Sequence, residues 1–424
     1  KHGQKRGCGD FIKEILMNRI VFDIEANGLT EIVLTQKGEV IPEATKVHCL
    51  CIADLDSDDI KTFGPLEIED GVKILREAEL VVGHNILMYD IPLLERLYGP
   101  ITPKLSVDTL IISRLMYPDK AQHPLGGNSL EAWGVYLDVP KTKYDGGWEA
   151  FNEDMLDYCS QDVRLSKAVY LRQLPFICEN QKVILLEHIV TDILAKQTTN
   201  GFGFDLSEAC ILYAELNDKK LRIDEHLQSI FPTRTEIRYS VKTGKRLKDK
   251  VQVFNPGSRK QIAERLSEKY GWNPPLTPKG NPKVDEGVLK KLKFKEAKIL
   301  VKYFAIIKLM GQVSDWIKRS QSSRDGRIHG SINPQGTITG RMTASQPNLQ
   351  QVSGDSRARK LFIPQKGWVQ IGIDAKGLEA RMLANRMSAY DGGAYGKIVV
   401  SQDIHTENQK IIGVTSRGEA KTFF

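Results

Sequence analysis

The stretch Trp368 to Asn385, WVQIGIDAKGLEARMLAN, alternates Val369, Ile371 and Ile373 with Gln370, Gly372 and Asp374. That is the period of a half-buried strand, so it predicts a strand ending at Asp374, whose carboxylate faces away from the apolar side and can hold a metal. Gly377 then turns the chain into a helical run whose first turn carries Glu379. Strand, turn and helix in this order predict an α/β fold with two acids facing a cleft above a sheet.

Working outward, the flanking strings are Ile332 to Val352, INPQGTITGRMTASQPNLQQV, and Asp403 to Phe424, DIHTENQKIIGVTSRGEAKTFF. Strands are predicted at Arg327 to Ser331 and Thr337 to Thr343. Arg417 and Lys421 lie four apart, which puts two cations on one helical face, a pattern suited to a triphosphate.

Together these three strings resemble the polymerase half of the family A DNA polymerases, most closely the T7-like phage replicative branch. The resemblance implies that Asp374 binds the catalytic metals and that Glu379 excludes a 2′-hydroxyl. It implies that Arg341, with Asn348, Gln350 and Gln351, reads the minor groove of a primer-template, where acceptors are common to all correct pairs. His405, Arg417 and Lys421 would open the fingers helix that holds the incoming dNTP. Two positions depart from the family pattern: Lys376 replaces a small polar residue and Ala380 a larger aliphatic one.

At the other end, Asn18 to Glu25, NRIVFDIE, predicts a buried strand with Asp23 and Glu25 on one face. Leu80 to Asp90, LVVGHNILMYD, predicts a strand, a turn at Gly83 and a helix bearing Asp90. Asp154 to Tyr170 predicts a helix with Tyr158 and Asp162 on one side. Asp23, Glu25, Asp90 and Asp162 would converge on two hard cations, for which oxygen ligands are suited. One ion would activate a water, the other would stabilise a leaving oxygen, and Tyr158 would aim the water. These strings resemble the motifs of the proofreading 3′-5′ exonucleases that carry a tyrosine in the third motif. That implies two Mg²⁺ per active site, with Mn²⁺ as the alternative, and a DNA contact at Asn85.

Between these ends, helices are predicted at Ile177 to Thr199, Leu206 to Ile230 (capped by Asp205 or Ser207), Arg259 to Tyr270 and Phe294 to Ser320. Arg234 to Lys250 carries seven cations around Thr243-Gly244 and predicts a basic hairpin. Phage members of the family carry a long insertion here that recruits thioredoxin, whereas the interval before Phe254 is short, which argues against thioredoxin as a partner. The resemblance makes this region the thumb that grips duplex DNA. The implied fold is therefore a ribonuclease-H-like 3′-5′ exonuclease domain (17–176), a connecting helix and helical thumb (177–330), and a partial palm with the start of the fingers (331–424). Residues 1–16 would be an extension, disordered or not native, ahead of a start at Met17.

Composition is compatible with this and excludes little. The chain has 424 residues, 41% hydrophobic and 27% charged, with a net charge of +7 that permits a phosphate-rich partner. No apolar run is long enough to cross a membrane. The six cysteines form no CxxC pair, which suits a reducing cytoplasm, and the resemblance implies that of a phage's bacterial host. His48, Cys49 and Cys51 are read as buried strand positions rather than metal ligands. The insertion Thr30 to Ala44 predicts a hairpin around Lys37-Gly38, and Met116 to Gly127, with His123, an exposed loop.

In the family a second palm segment supplies another metal-binding carboxylate, and no such string follows Asp374. Two-metal transfer with one palm aspartate is expected to be severely impaired. The expectation is thus a proofreading DNA polymerase acting in DNA replication, of which this chain alone performs the exonuclease step. A second chain carrying the missing palm and fingers, or a helicase-primase, would be a partner. The alternatives are a stand-alone exonuclease and a noncatalytic DNA-binding fragment.

Overall fold

Strand β1 (Arg19–Ala26) is the middle of a five-stranded sheet, and its apolar residues are buried on both faces. The computed structural model describes residues 18–30, 33–34, 40–41, 43–119, 126–237, 239, 242–246 and 248–423. Strands β2 (Val33–Leu34) and β3 (Val40–Ile41) form the antiparallel pair expected of the insertion, while Lys37, Gly38 and His123 lie outside the described residues, as do Met17 and residues 1–16. The other sheet strands are β4 (Val47–Asp54), β5 (Ile60–Phe63), β6 (Leu80–Gly83) and β7 (Leu105–Asp108). Their order is β5-β4-β1-β6-β7, antiparallel across β5, β4 and β1 and parallel from β1 through β6 to β7.

Alternation along β1 sorts its side chains between two cores. Ile20, Phe22 and Ile24 pack with Ile68, Leu75, Ile91 and Leu94. Val21 packs with Cys49, Cys51, Met155, Cys159 and Val163, so the helix Glu153–Glu179 lies on that face. Asp23 and Glu25 share the parity of Val21 and therefore point toward this helix. Cys49 and Cys51 are fully buried, as expected of a central strand.

Helix Gln181–Asn200 follows after Asn180, four residues later than expected, because the preceding helix runs on to Glu179. Strand β8 (Gly203–Phe204) leads into helix Leu206–Ile230, capped by the Asp205 carboxylate on the Glu208 amide at 3.0 Å. Strands β9 (Arg234–Glu236) and β10 (Lys250–Gln252) pair antiparallel and close the basic hairpin. Helix Arg259–Tyr270 is capped by Ser258, and helix Lys295–Ser322 packs along Leu206–Ile230 through Leu212, Leu216, Leu309 and Val313.

The strands expected at 327–331 and 337–343 are displaced. β11 (Ser331–Asn333) pairs with β12 (Thr343–Ser345), because Thr337 to Gly340 is used as a turn closed by the Gly340 amide on the Thr337 carbonyl. β13 (Phe362–Ile363) pairs with β8.

Residues 364–424 form a second compact unit. It contains helices Leu378–Asp391, Ala394–Ser401, Ile404–Ile412 and Arg417–Phe423, the first two packed through Ala384 and Val399. The strand expected to end at Asp374 is absent: residues 368–376 join no sheet, and Val369, Ile371 and Ile373 are 78%, 77% and 94% exposed. An alternating pattern becomes a strand only where a neighbour completes its ladder, and among the described residues of this unit no strand exists to do so.

Candidate metal-binding active site

The acidic cluster is assembled by three elements. β1 supplies Asp23 and Glu25, the helix Asp90–Tyr98 opens with Asp90, and the helix Glu153–Glu179 supplies Tyr158, Cys159 and Asp162. Burial raises the proton affinity of all four carboxylates, and their mutual repulsion adds to it for Asp23, Glu25 and Asp90. Glu25 is pushed up to about 9 and Asp90 to about 8. Asp23, crowded by Asp90, Glu25 and Asp162, is held well above the carboxylate range.

One cation opposes this charge. Lys141 Nζ pairs with Asp162 Oδ2 and lies 4.7 Å from the centre of the Tyr158 ring. The Tyr158 ring thus lies beneath the lysine that pairs with Asp162, and burial raises the tyrosine's pKa. Asp162 Oδ1 is buried and has no partner. Asp23, Glu25 and Cys159 bring their ligand atoms within 4.8 Å of one another, the one such group among the described residues. Asp90 and Asp162 stand outside that tight group, although both act on Asp23 and Glu25 electrostatically. An orphaned buried carboxylate oxygen beside three further carboxyl groups is an oxygen donor set that fits a hard divalent ion, whose charge would offset their repulsion.

The turn that places Asp90 is braced from beneath. Asn85 adopts a left-handed φ of 71°, and its amide donates to Asp108 Oδ1 at 2.9 Å. The Leu87 amide donates to Asp108 Oδ2 at 3.1 Å, and the Asp108 amide donates to His188 Nε2 at 2.8 Å. A Cβ on Gly83 would stand 2.9 Å from the Phe22 carbonyl, so the strand can end this close to β1 only at glycine. His84, half-buried and 2.9 Å from Thr109 Oγ1, has its pKa lowered by desolvation to about 4.

Lys141, Cys159 and Asp108 were not singled out by the sequence. Asp108 carries a legible signal, an acid at a strand end that caps the helix Thr109–Met116. Cys159 falls three residues before Asp162 on the same helix. Lys141 sits in a loop whose proximity to Asp162 has no local signature.

The other candidate residues stand on other elements. Arg341 is exposed, its amide held by Thr337 Oγ1 at 2.8 Å. Asn348 Oδ1 caps the turn Leu349–Gln351, and the Gln351 carbonyl accepts from Gln312 Nε2 at 2.8 Å. In the second unit Asp374 and Glu379 are exposed. There Arg417 donates to Asp403 at 2.7 Å, which pulls Asp403 down to about 2. The same Asp403 accepts from the His405 amide at 3.1 Å, and Lys421 follows one turn after Arg417 on the last helix.

Residues 233–422 match the model of DNA polymerase family A. The DNA-directed DNA polymerase of Escherichia phage T7 is 31% identical, over 95% of this chain and 74% of that protein. DNA polymerase I of Aquifex aeolicus (strain VF5) is 26% identical, over 75% of this chain and 54% of that protein. The solved POL domain of Pol1 from M. smegmatis, in complex with DNA primer-template and dNTP, superposes with a TM-score of 0.71 at 18% identity, covering 99% of this chain and 70% of that one. With a phage relative 31% identical across 95% of this chain and 74% of its own length, the chain belongs to DNA polymerase family A.

Proposed function

We propose that this family A polymerase chain carries a 3′-5′ proofreading exonuclease site at Asp23, Glu25, Asp90 and Asp162, within a ribonuclease-H-like domain. The observation that carries this reading is the acidic cluster, opposed by Lys141, at the meeting point of β1 and the helix Glu153–Glu179. The sheet order β5-β4-β1-β6-β7, with its antiparallel and parallel halves, supports it.

Two Mg²⁺ held by these carboxylates, or Mn²⁺ in their place, would lower the pKa of an attacking water and take up charge on the leaving 3′-oxygen. Tyr158, its ring beneath Lys141, orients that water through its hydroxyl. Asn85 contacts the DNA strand beside Asp90. The paired helices Leu206–Ile230 and Lys295–Ser322 with the basic hairpin grip the duplex backbone, and Arg341, Asn348 and Gln351 follow its minor groove. Asp374, Glu379, His405, Arg417 and Lys421 belong to template-directed synthesis from dNTPs.

The test is a 5′-labelled primer-template with a mismatched 3′ end, incubated with Mg²⁺ with and without dNTPs. Stepwise metal-dependent shortening is expected without dNTPs. Tight duplex binding with no shortening would contradict the exonuclease assignment.

A further inference from the structure

We propose that His188, on the helix Gln181–Asn200, is a positioning residue for the acidic cluster, holding the Asp108 backbone so that Asp108 in turn fixes the turn leading to Asp90. This role rests on the reading of the cluster as an exonuclease centre. It extends that site to a helix that carries none of the cluster's carboxylates.

The chain of contacts starts at a sheet edge. β7 is the last strand of the sheet, so an amide on its outer side has no neighbouring strand among the described residues to accept its proton. Asp108 is buried, and a buried amide left in that state is costly. His188 supplies the acceptor, because the Asp108 amide donates to its Nε2 at 2.8 Å. An amide can only donate, so Nε2 carries the lone pair and Nδ1 the proton, which goes to the Ile184 carbonyl at 2.7 Å. His188 is itself buried, and burial lowers its pKa, which favours the neutral ring that this geometry needs. Both ring nitrogens are thus held by backbone, one on the helix and one at the strand end.

From Asp108 the bonds run on toward the cluster. Its carboxylate accepts from the Asn85 and Leu87 amides. The Asn85 carbonyl accepts from the Tyr89 amide at 3.2 Å and the Ile86 carbonyl from the Ile91 amide at 2.9 Å, so both neighbours of Asp90 are tied to this turn. A shift of the strand end would therefore carry Asp90 away from Asp23 and Glu25, on which its charge acts. Phosphoryl chemistry is sensitive to displacements of that kind. A histidine that only filled space would affect melting, whereas these contacts predict a local effect on the turn.

The experiment compares His188→Gln, whose side-chain oxygen can still accept from Asp108, with His188→Leu, which fills the space without an acceptor. Hydrogen exchange over residues 84–91 is followed in the metal-free chain, and Mg²⁺-dependent shortening of a 5′-labelled single strand gives kcat and KM. His188→Leu should speed exchange over 84–91 by at least about tenfold while the helices Leu206–Ile230 and Lys295–Ser322 exchange as in the parent. It should lower kcat by at least about tenfold with KM little changed. His188→Gln should match the parent in both, a result that stands even if His188→Leu fails to fold. The proposal is overturned if His188→Leu leaves local exchange or kcat unchanged, or if His188→Gln behaves like His188→Leu. Local exchange that depends on the acceptor, in a chain whose parent does not shorten DNA, would uphold the link from His188 to the Asp90 turn and remove the exonuclease reading.

Discussion

Lys141 pairs with one oxygen of Asp162 while the other oxygen of that carboxylate is buried without a partner. The lysine thus balances part of the acidic charge and leaves a donor directed at nothing in the chain. Replacing Lys141 by Met removes the balancing cation from a pair whose acid is almost fully buried. The metal-free protein should lose about 1–3 kcal/mol of stability in urea unfolding, and added Mg²⁺ should recover most of it. Equal losses with and without Mg²⁺ would show that Lys141 does not serve the same charge as a metal.

The metal-free protein should lose stability as pH rises above neutrality. Glu25 and Asp90 hold protons up to about 9 and about 8, whereas unfolded carboxylates release them near about 4. The folded state binds more protons between these values, so this stabilisation is complete at low pH and fades through the upper pKa. His84, lowered to about 4, acts oppositely and costs stability as pH falls from about 6.5 toward that value. Melting temperature without metal should therefore decline from about pH 6.5 to 9, a window that lies above the contribution of His84. Saturating Mg²⁺ should flatten that decline.

Asp108 should matter more than its distance from the cluster suggests. Its carboxylate accepts from the amides of Asn85, Leu87 and Leu110. Asp108→Ala would orphan buried donors at a cost of about 2–4 kcal/mol, measurable by denaturant unfolding. At Asn85, with its positive φ, Asn85→Gly should fold as well as the parent, whereas Asn85→Ala should cost about 1 kcal/mol.

For the proposed duplex grip, Arg341→Ala should weaken primer-template binding at all sequences alike. The slope of log affinity against log salt should change by about one if Arg341 meets a phosphate, and not at all if it meets only base edges. Anisotropy titrations at several salt concentrations distinguish the two.

Local pattern carried the sequence far where one element decides its own shape. The strand bearing Asp23 and Glu25 and the helix bearing Tyr158 and Asp162 lie where periodicity puts them, and of the two capping candidates at Leu206–Ile230 it is Asp205 that caps. It failed where a distant partner decides. Val369, Ile371 and Ile373 alternate like a strand but have no neighbouring strand among the described residues of their unit. Lys141 and Cys159 enter the cluster only because a loop and a helix fold onto β1, and neither residue carries a motif that announces it.

On the proposed function, Asp23 and Glu25 belong to a metal-dependent exonuclease centre. The most direct measurement is Mg²⁺-dependent shortening of a 5′-labelled single strand by the parent chain and by the Asp23→Ala/Glu25→Ala double variant, each checked for unchanged primer-template affinity. Loss of shortening with binding preserved is the predicted result; shortening that persists in the double variant would contradict it.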